Sequence, residues 1–244
     1  MKAVTFDFWN TLVRAGDSGP HQLRVSTWQR ALADAGLERT DDQVRDAVRR
    51  SRVLFEEHWR RNDVYSAAMA VADAATHLEA VISPAFVAEL IQVVTDPDPA
   101  HDPGLAPNVG EALGGLRDRG IAIGIICDVG LTPSVTLRRY LAKHGILDCF
   151  SHWSFSDEVG TFKPDPIIFD HALSGLGGIS PSDAVHVGDL RRTDIGGAQA
   201  KGIFAVRYTG LFDDPGSAAE GTDNVEADAV VADHANLLEA LGLG

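Results

Sequence analysis

KAVTFDFWNTLV, at residues 2–13, is the stretch that decides how the rest of this chain is interpreted. Residues 2–8 alternate and then run apolar, as in a β-strand that is buried on both faces in a parallel sheet. Asp7 stands at the end of this strand, where a buried carboxylate is costly unless it has a partner or a use. The stretch therefore predicts a central strand that carries a functional aspartate.

Beyond this strand, the sequence first changes to helical periodicity, from about residue 21 to residue 96. Four helices are predicted there, at residues 21–36, 41–61, 64–81 and 83–94. The second is expected to begin at an Asp cap, and the fourth at Ser83 with Pro84 in its first turn. A stretch rich in Pro and Asp at residues 96–104 then predicts a linker.

After this linker, strands alternate with helices up to the final residues. Strands are predicted near residues 121–128, 152–156, 184–189, 204–209 and 227–233, with a polar surface loop at residues 210–228. Such alternation is typical of a parallel sheet with helices on both faces. We therefore predict an α/β fold, a Rossmann-like parallel sheet core flanked by helices (residues 1–15 and 103–244), with an inserted α-helical bundle at residues 16–102.

Composition restricts the classes of partner. The 244 residues are 45% hydrophobic and carry a formal net charge of -14, which argues against nucleic acid as a general partner. No apolar run approaches the roughly 20 residues that span a bilayer, and no signal peptide precedes the first strand. Cys127 and Cys149 lie in no zinc-binding pattern, and two free thiols suit a reducing compartment. We expect a cytoplasmic protein without a membrane partner, either a monomer or a weak homodimer.

Charged residues follow several of the predicted strands. Ligands of open parallel sheets bind beyond the carboxyl ends of the strands, and there this chain has Asp7, Lys163, Asp189 and Asp194. Singly, these side chains could be turn residues, helix caps or surface charges. Together they predict a divalent cation, because clustered carboxylates cannot all stay ionised without one. Mg²⁺ prefers such oxygen ligands.

Four segments, in this order, resemble the four motifs of the haloacid dehalogenase superfamily of hydrolases: FDFWNTL, IICD, VGTFKPDP and VGDLRRTD. The resemblance covers residues 1–15 and 103–244, and the helical insertion is similar in position and kind to that family's α-helical cap. It implies that Asp7 is the nucleophile and that Lys163 neutralises and orients it. It also implies Mg²⁺ bound by Asp7, the main-chain carbonyl of Trp9 and Asp189, with Asp194 in the inner or outer sphere.

The resemblance further implies a set of substrate-binding residues: Trp9, Asn10, Thr11, Cys127 and Asp128. Cys127 stands where the family usually has a Ser or Thr that hydrogen-bonds the phosphoryl oxygen, and a thiol is the weaker donor. Asp128 stands where an Asn is common. We expect it to point away or to cap the following helix, with a role in the site as the alternative.

Trp9 is the main departure from the family pattern. Phosphatases of this family usually carry a second Asp at this position, which protonates the leaving oxygen, and an indole cannot do so. Loss of a general acid typically costs about 10²–10⁴ in rate. The leaving group could be good enough to need no proton, or the proton could come from the substrate or from an inserted residue. His21, His58 and Arg14 are candidates for that residue, although each also fits a plain surface position.

An aromatic residue at position 9 also resembles the dehalogenase branch of the family, which needs no metal. Gly188-Asp189 resembles the metal-binding version of the fourth motif instead. We therefore predict a Mg²⁺-dependent phosphohydrolase of atypical or reduced activity, acting on a small phosphorylated metabolite through an aspartyl-phosphate intermediate. The alternatives are a 2-haloacid dehalogenase-like hydrolase and a catalytically impaired protein that binds anions or regulates.

Overall fold

A six-stranded parallel sheet forms the centre of the larger part of the protein. The computed structural model describes residues 1–14, 19–95, 102–219, 221–222 and 224–244, with only the backbone of residues 19–21. The strand order is β3-β2-β1-β4-β5-β6. The strands are β1 (Ala3–Phe6), β2 (Ala122–Cys127), β3 (His152–Phe155), β4 (Ala184–Gly188), β5 (Phe204–Tyr208) and β6 (Ala229–Val231). The predicted α/β class with a Rossmann-like sheet is confirmed.

The helices follow the two kinds of periodicity in the sequence. The first four, in the inserted segment, are α1 (Gly19–Asp34), α2 (Asp41–Arg60), α3 (Ala67–His77) and α4 (Pro84–Thr95). Those of the sheet region are α5 (Val109–Asp118), α6 (Ser134–Lys143), α7 (Ser156–Val159), α8 (Pro166–Gly175), α9 (Gly196–Ala200) and α10 (Leu237–Ala240). Each predicted helix has a counterpart, with ends shifted by a few residues.

One predicted helix cap is wrong and another agrees with the structure. Helix α2 begins after Thr40, whose hydroxyl accepts from the Gln43 N–H while the Gln43 side chain accepts from the Thr40 N–H. This reciprocal capping box satisfies two helix-end donors, so Thr40 and not an Asp is the cap. For α4, the Ser83 hydroxyl accepts from the Phe86 N–H at 3.4 Å, as expected of a cap.

The chain divides into two compact units. One comprises Met1–Ala15, Pro103–Asp128 and Arg138–Gly244, and the other comprises Gly16–Asp102 with Val129–Leu137. The helical unit has its own core, in which Trp28, Val44 and Leu90 pack from α1, α2 and α4. In the sheet unit, Ile126 and Phe169 belong to a buried cluster that joins β2 to α8. Each unit thus buries apolar residues of its own.

The topology of the sheet determines where a ligand can bind. Strand β1 lies at the centre, with β2 on one side and β4 on the other, and all pairs are parallel. From β1 the chain forms β2 and β3 on one side and then crosses to form β4 on the other side of β1. The strand order therefore reverses at β1. Such a reversal opens a crevice beyond the carboxyl ends of the central strands.

Two predictions fall outside the described residues. Residues 96–101 of the predicted linker and the side chain of His21 are not described. Within the described part of the chain, none of the helices combines the length and the apolar character needed to cross a bilayer.

Candidate active site

Asp7 directly follows β1 and is fixed by the sheet. Its N–H donates to the carbonyl of Val187 at 2.8 Å, which extends the pairing of β1 with β4 by one residue. Asp189 follows β4 in the same way. Asp7 is only 6% exposed and Asp189 only 2%. Two neighbouring parallel strands therefore deliver two buried carboxylates to the same edge of the sheet.

Lys163 joins Asp7 to Asp194. Its Nζ donates to Asp7 Oδ1 at 2.5 Å and to Asp194 Oδ1 at 2.6 Å. Asp7, Asp189 and Asp194 each place a carboxylate oxygen within 4.8 Å of the others. The four charged residues that the sequence singled out thus meet in one buried cluster, although 156 residues separate Lys163 from Asp7.

Asp194 is held by more donors than Asp7. Its Oδ2 accepts from the Leu190 N–H at 2.9 Å, and its Oδ1 lies 3.2 Å from Nε2 of His186. Asp194 lies inside a π-helical turn, Arg191–Ile195, which leads directly into α9. This turn directs the side chain back across the end of β4, where Gly188 leaves room for it.

Burial and shared charge give the acidic residues different proton affinities. Burial raises the pKa of Asp7 to about 7, although Lys163 acts in the opposite direction. Burial, with the charges of Asp7 and Asp194, raises the pKa of Asp189 well above its usual range. Burial acts in the same sense on Asp194, but Lys163 and His186 outweigh it and lower its pKa. Asp194 is therefore the carboxylate that stays ionised, while Asp7 and Asp189 lack enough positive charge around them.

The residues that follow Asp7 form a tight turn. The Asn10 N–H donates to the carbonyl of Val13 at 2.7 Å, and Asn10 has a φ of 55°, a left-handed conformation that Asn tolerates. The Trp9 ring packs edge-on against Phe8, with ring centroids 5.1 Å apart, and against Tyr140 at 6.5 Å. Thr11 is fully buried, and its carbonyl accepts from His234. Their roles in substrate binding stay predictions.

Cys127 and Asp128 end β2 beside this turn. Cys127 is fully buried, and burial followed by the charge of Asp7 raises the pKa of its thiol. Asp128 Oδ1 accepts from the backbone N–H of Lys163 at 2.9 Å. Asp128 thereby anchors the loop that carries Lys163, and its role in substrate binding stays a prediction.

His186 and Thr5 belong to the cluster but were missed in the sequence. The two residues are partners in the β1–β4 register, and Thr5 Oγ1 lies 2.9 Å from His186 Nδ1. Burial lowers the pKa of His186, so the neutral ring donates from Nε2 to Asp194 and accepts from Thr5 at Nδ1. The available signal was a polar residue in each of two otherwise apolar strands, AVTF and AVHVG, because buried polar groups need partners.

Among the described candidates for a proton donor, Arg14 precedes the helical insertion and His58 lies within it. The His58 ring lies against Tyr65, with centroids 5.1 Å apart, within the helical unit. Arg14 is exposed. Neither observation assigns a proton-transfer role to these residues.

Comparisons with known proteins agree with this geometry. A family model described as haloacid dehalogenase-like hydrolase matches residues 1–202. Glyceraldehyde 3-phosphate phosphatase of Methanopyrus kandleri is 28% identical over 223 residues, covering 85% of this chain and 83% of the relative. The 2-haloacid dehalogenase of Pseudomonas syringae pv. Tomato has a similar fold (TM-score 0.71, 24% identity, 99% and 98% coverage). So does the HAD phosphatase of Thermococcus onnurineus (TM-score 0.65, 24% identity, 99% and 98% coverage).

The family match includes all four segments that supply the cluster, from Asp7 to Asp194. A carboxylate after the first strand, a lysine from a distant loop and two aspartates after β4 meet in one buried site. Sequence match, fold and side-chain arrangement lead to the same conclusion: this chain belongs to the haloacid dehalogenase-like hydrolases.

Proposed function

We propose that this protein is a Mg²⁺-dependent phosphohydrolase that acts on a small phosphorylated metabolite, with Asp7 as the nucleophile. The observation that supports this proposal most directly is the buried cluster of Asp7, Asp189 and Asp194 around Lys163. The Methanopyrus kandleri relative is a glyceraldehyde 3-phosphate phosphatase, which supports phosphate chemistry. The cytoplasmic location and the monomeric or weakly dimeric state stay predictions.

The charge of the cluster supports a divalent cation. Three ionised carboxylates and one ammonium would leave a net charge of about -2 in a buried space. Burial, together with this excess of negative charge, raises the pKa values of Asp7 and Asp189. The residues present therefore fit Mg²⁺, which would be held by Asp7, Asp189 and the Trp9 carbonyl. When bound, Mg²⁺ supplies positive charge beside the transferring phosphoryl group.

Asp194 has a different part in this proposal. Its two oxygens already accept from Lys163, His186 and the Leu190 N–H. This arrangement supports an outer-sphere position, in which Asp194 fixes Lys163 and does not bind the metal directly. Lys163 in turn holds Asp7 Oδ1, which leaves Oδ2 to attack.

In the first step, Asp7 Oδ2 attacks phosphorus, and the bond from phosphorus to the leaving oxygen breaks with its electron pair on that oxygen. Lys163 offsets the negative charge that gathers as the phosphoryl anion approaches. In the second step, water attacks phosphorus of the aspartyl phosphate, and Asp7 leaves as the carboxylate with release of inorganic phosphate. Burial of the cluster limits access of other water molecules.

The remaining groups contribute positioning and selection. We propose that the Trp9 ring, fixed by Phe8 and Tyr140, forms a wall against the leaving group. The loops that would bind phosphate follow β1 and β2, and they would be shaped by Asn10, Thr11, Cys127 and Asp128. The helical insertion at residues 16–102 would act as the cap that selects the substrate. Since Trp9 cannot donate a proton, acyl and anomeric phosphates are the first substrates to test.

The decisive experiment compares wild type with Asp7→Asn on a panel of acyl, sugar and aryl phosphates in Mg²⁺. We expect the variant to lose at least about 10³ in kcat/KM, because it lacks the nucleophile. Asp170→Asn is the matched control, since Asp170 pairs with Lys201 on the surface and should leave activity unchanged. Phosphate release that Asp7→Asn retains would disprove the assigned nucleophile.

Assays of 2-haloacids without metal and of phosphate binding separate the alternatives. The aromatic residue at position 9 favours the dehalogenase alternative, for which halide would be released from 2-haloacids without metal. A catalytically impaired binding protein would release neither phosphate nor halide but would still bind phosphate. Either result would replace the phosphohydrolase proposal.

A further inference from the structure

A second group of metal-ligating side chains lies away from the acidic cluster, on the edge strand β3 and the helix α8. His152 and Ser154 alternate along β3, so they point to the same face of the sheet. His171 of α8 meets them there. His171 Nδ1 lies 3.2 Å from His152 Nε2 and 2.8 Å from Ser154 Oγ. His152 is half-buried and His171 is exposed, so solvent ions can reach the pair.

We propose that His152 Nε2 and His171 Nδ1 bind one divalent transition-metal ion of the class that prefers imidazole, namely Zn²⁺, Ni²⁺ or Cu²⁺. Two nitrogens that share one such ion at about 2.0–2.1 Å, with an angle near the tetrahedral value, lie roughly 3.2–3.4 Å apart. The observed 3.2 Å agrees with this separation.

The orientation of the two rings supports the same conclusion. Imidazoles that hydrogen-bond head-on at this nitrogen separation would have their centroids roughly 5.5 Å apart. The observed centroids are 4.9 Å apart, with 43° between the ring planes. The two rings are therefore not aligned head-on along the line that joins the two nitrogens. A bent hydrogen bond is weaker than a head-on one, and two imidazoles that share one ion are likewise bent away from head-on alignment.

The surroundings keep both rings available as ligands. Gly175 lies under the His152 ring, and a Cβ there would come within 2.1–2.4 Å of three ring atoms. The absence of a side chain at Gly175 thus permits the observed position of His152. Ser154 Oγ is a neighbouring oxygen donor, and water would complete the coordination.

Copper titration with electron paramagnetic resonance tests the proposal directly. Full-length protein without a histidine tag is stripped of metal, supplied with excess Mg²⁺ to occupy acidic sites, and titrated with Cu²⁺. We expect one equivalent to bind with hyperfine coupling to two nitrogens, because imidazole and not carboxylate supplies the ligands. A spectrum of oxygen ligands alone would overturn the assignment.

Variants show whether the pair itself holds the ion. His171→Asn changes an exposed residue, and Gly175→Ala displaces the His152 ring while favouring the helix; each should weaken Cu²⁺ binding by about tenfold or more. His77→Ala is the matched control, because exposed His77 pairs with Asp46 on the helical unit. Circular dichroism confirms folding of each variant. Unchanged affinity in both His171→Asn and Gly175→Ala would refute the site.

Discussion

At the scale of single residues, Asp7 and Asp194 show how one lysine can serve two carboxylates unequally. Oδ1 of Asp7 and Oδ1 of Asp194 both lie within 2.6 Å of Lys163 Nζ. Of the two carboxylates, only Asp194 also accepts from His186 and from a backbone N–H. Burial therefore dominates at Asp7 and raises its pKa, whereas the additional donors hold Asp194 ionised. Of these two carboxylates, Asp7 is thus the one that gains more from an added cation.

This difference predicts a pH dependence of stability in metal-free protein. Because the pKa of Asp7 is raised from 3.8 to about 7, folded Asp7 keeps its proton in that interval while unfolded Asp7 loses it. The unfolded state then binds fewer protons, so the Asp7 contribution to the free energy of unfolding falls as pH rises through the interval and levels off above it. The difference between wild type and Asp7→Asn, measured by urea unfolding in a chelator, should show this decline. A difference independent of pH would contradict it.

Trp9 predicts a dependence of the rate on the leaving group. Trp9→Asp introduces a carboxyl group that can protonate the leaving oxygen, so turnover of simple aryl phosphates should rise by roughly tenfold or more. Acyl phosphates, whose leaving group needs no proton, should gain little. Trp9→Phe is the control, because it keeps a ring against Phe8 and Tyr140 but supplies no proton. Equal gains in both variants would mean that ring size and not proton transfer limits the reaction.

At the scale of elements, the junction after β4 organises the site. The π-helical turn, Arg191–Ile195, sends Asp194 back over Gly188. The loop that follows β5 supports this turn: Asp214 Oδ2 accepts from the Arg191 N–H at 2.7 Å, and the Arg191 side chain donates to the Val225 carbonyl at 2.6 Å. The polar loop predicted at residues 210–228 therefore fixes the segment that carries Asp194.

Gly188→Ala tests how closely this junction is packed. A Cβ at Gly188 would lie 2.3 Å from Asp194 Cγ, so Asp194 would have to shift from its present position. We expect kcat/KM to fall by about 10²-fold, because a misplacement of about 1 Å at a catalytic site costs about 10²-fold in rate. Gly110→Ala in α5, where a Cβ meets no atom within 4 Å, should be neutral or stabilising by about 0.5–1 kcal/mol. Full activity in Gly188→Ala would show that Asp194 need not occupy its present position.

At the scale of the whole molecule, the excess of acidic residues sets the response to salt. The formal net charge is -14, and self-repulsion of this kind destabilises a compact chain. Raising NaCl from about 10 mM to about 150 mM shortens the range of that repulsion, so the melting temperature of metal-free protein should rise. KCl should raise the melting temperature as NaCl does. An uncharged solute at the same osmolarity leaves the ionic strength unchanged and should not reproduce this rise. A fall in melting temperature would show that ion pairs outweigh the repulsion.

The sequence by itself determined the class of the fold and the charged residues of the candidate site. Local periodicity distinguished the helical insertion from the alternating region, and each charged residue followed a strand whose carboxyl end faces the same edge of a parallel sheet. Asp7, Lys163, Asp189 and Asp194 could be selected because charge at such positions is costly without a use.

Only the tertiary structure decided how those residues are held. Strand register brings Thr5 to His186, and His186 and the Leu190 N–H in turn contact Asp194. Asp128 reaches the Lys163 backbone across 35 residues. Periodicity in a sequence reports which face of an element is buried, but not which distant polar group will satisfy a buried one. That choice depends on where the strands align in space, and only the folded chain sets it.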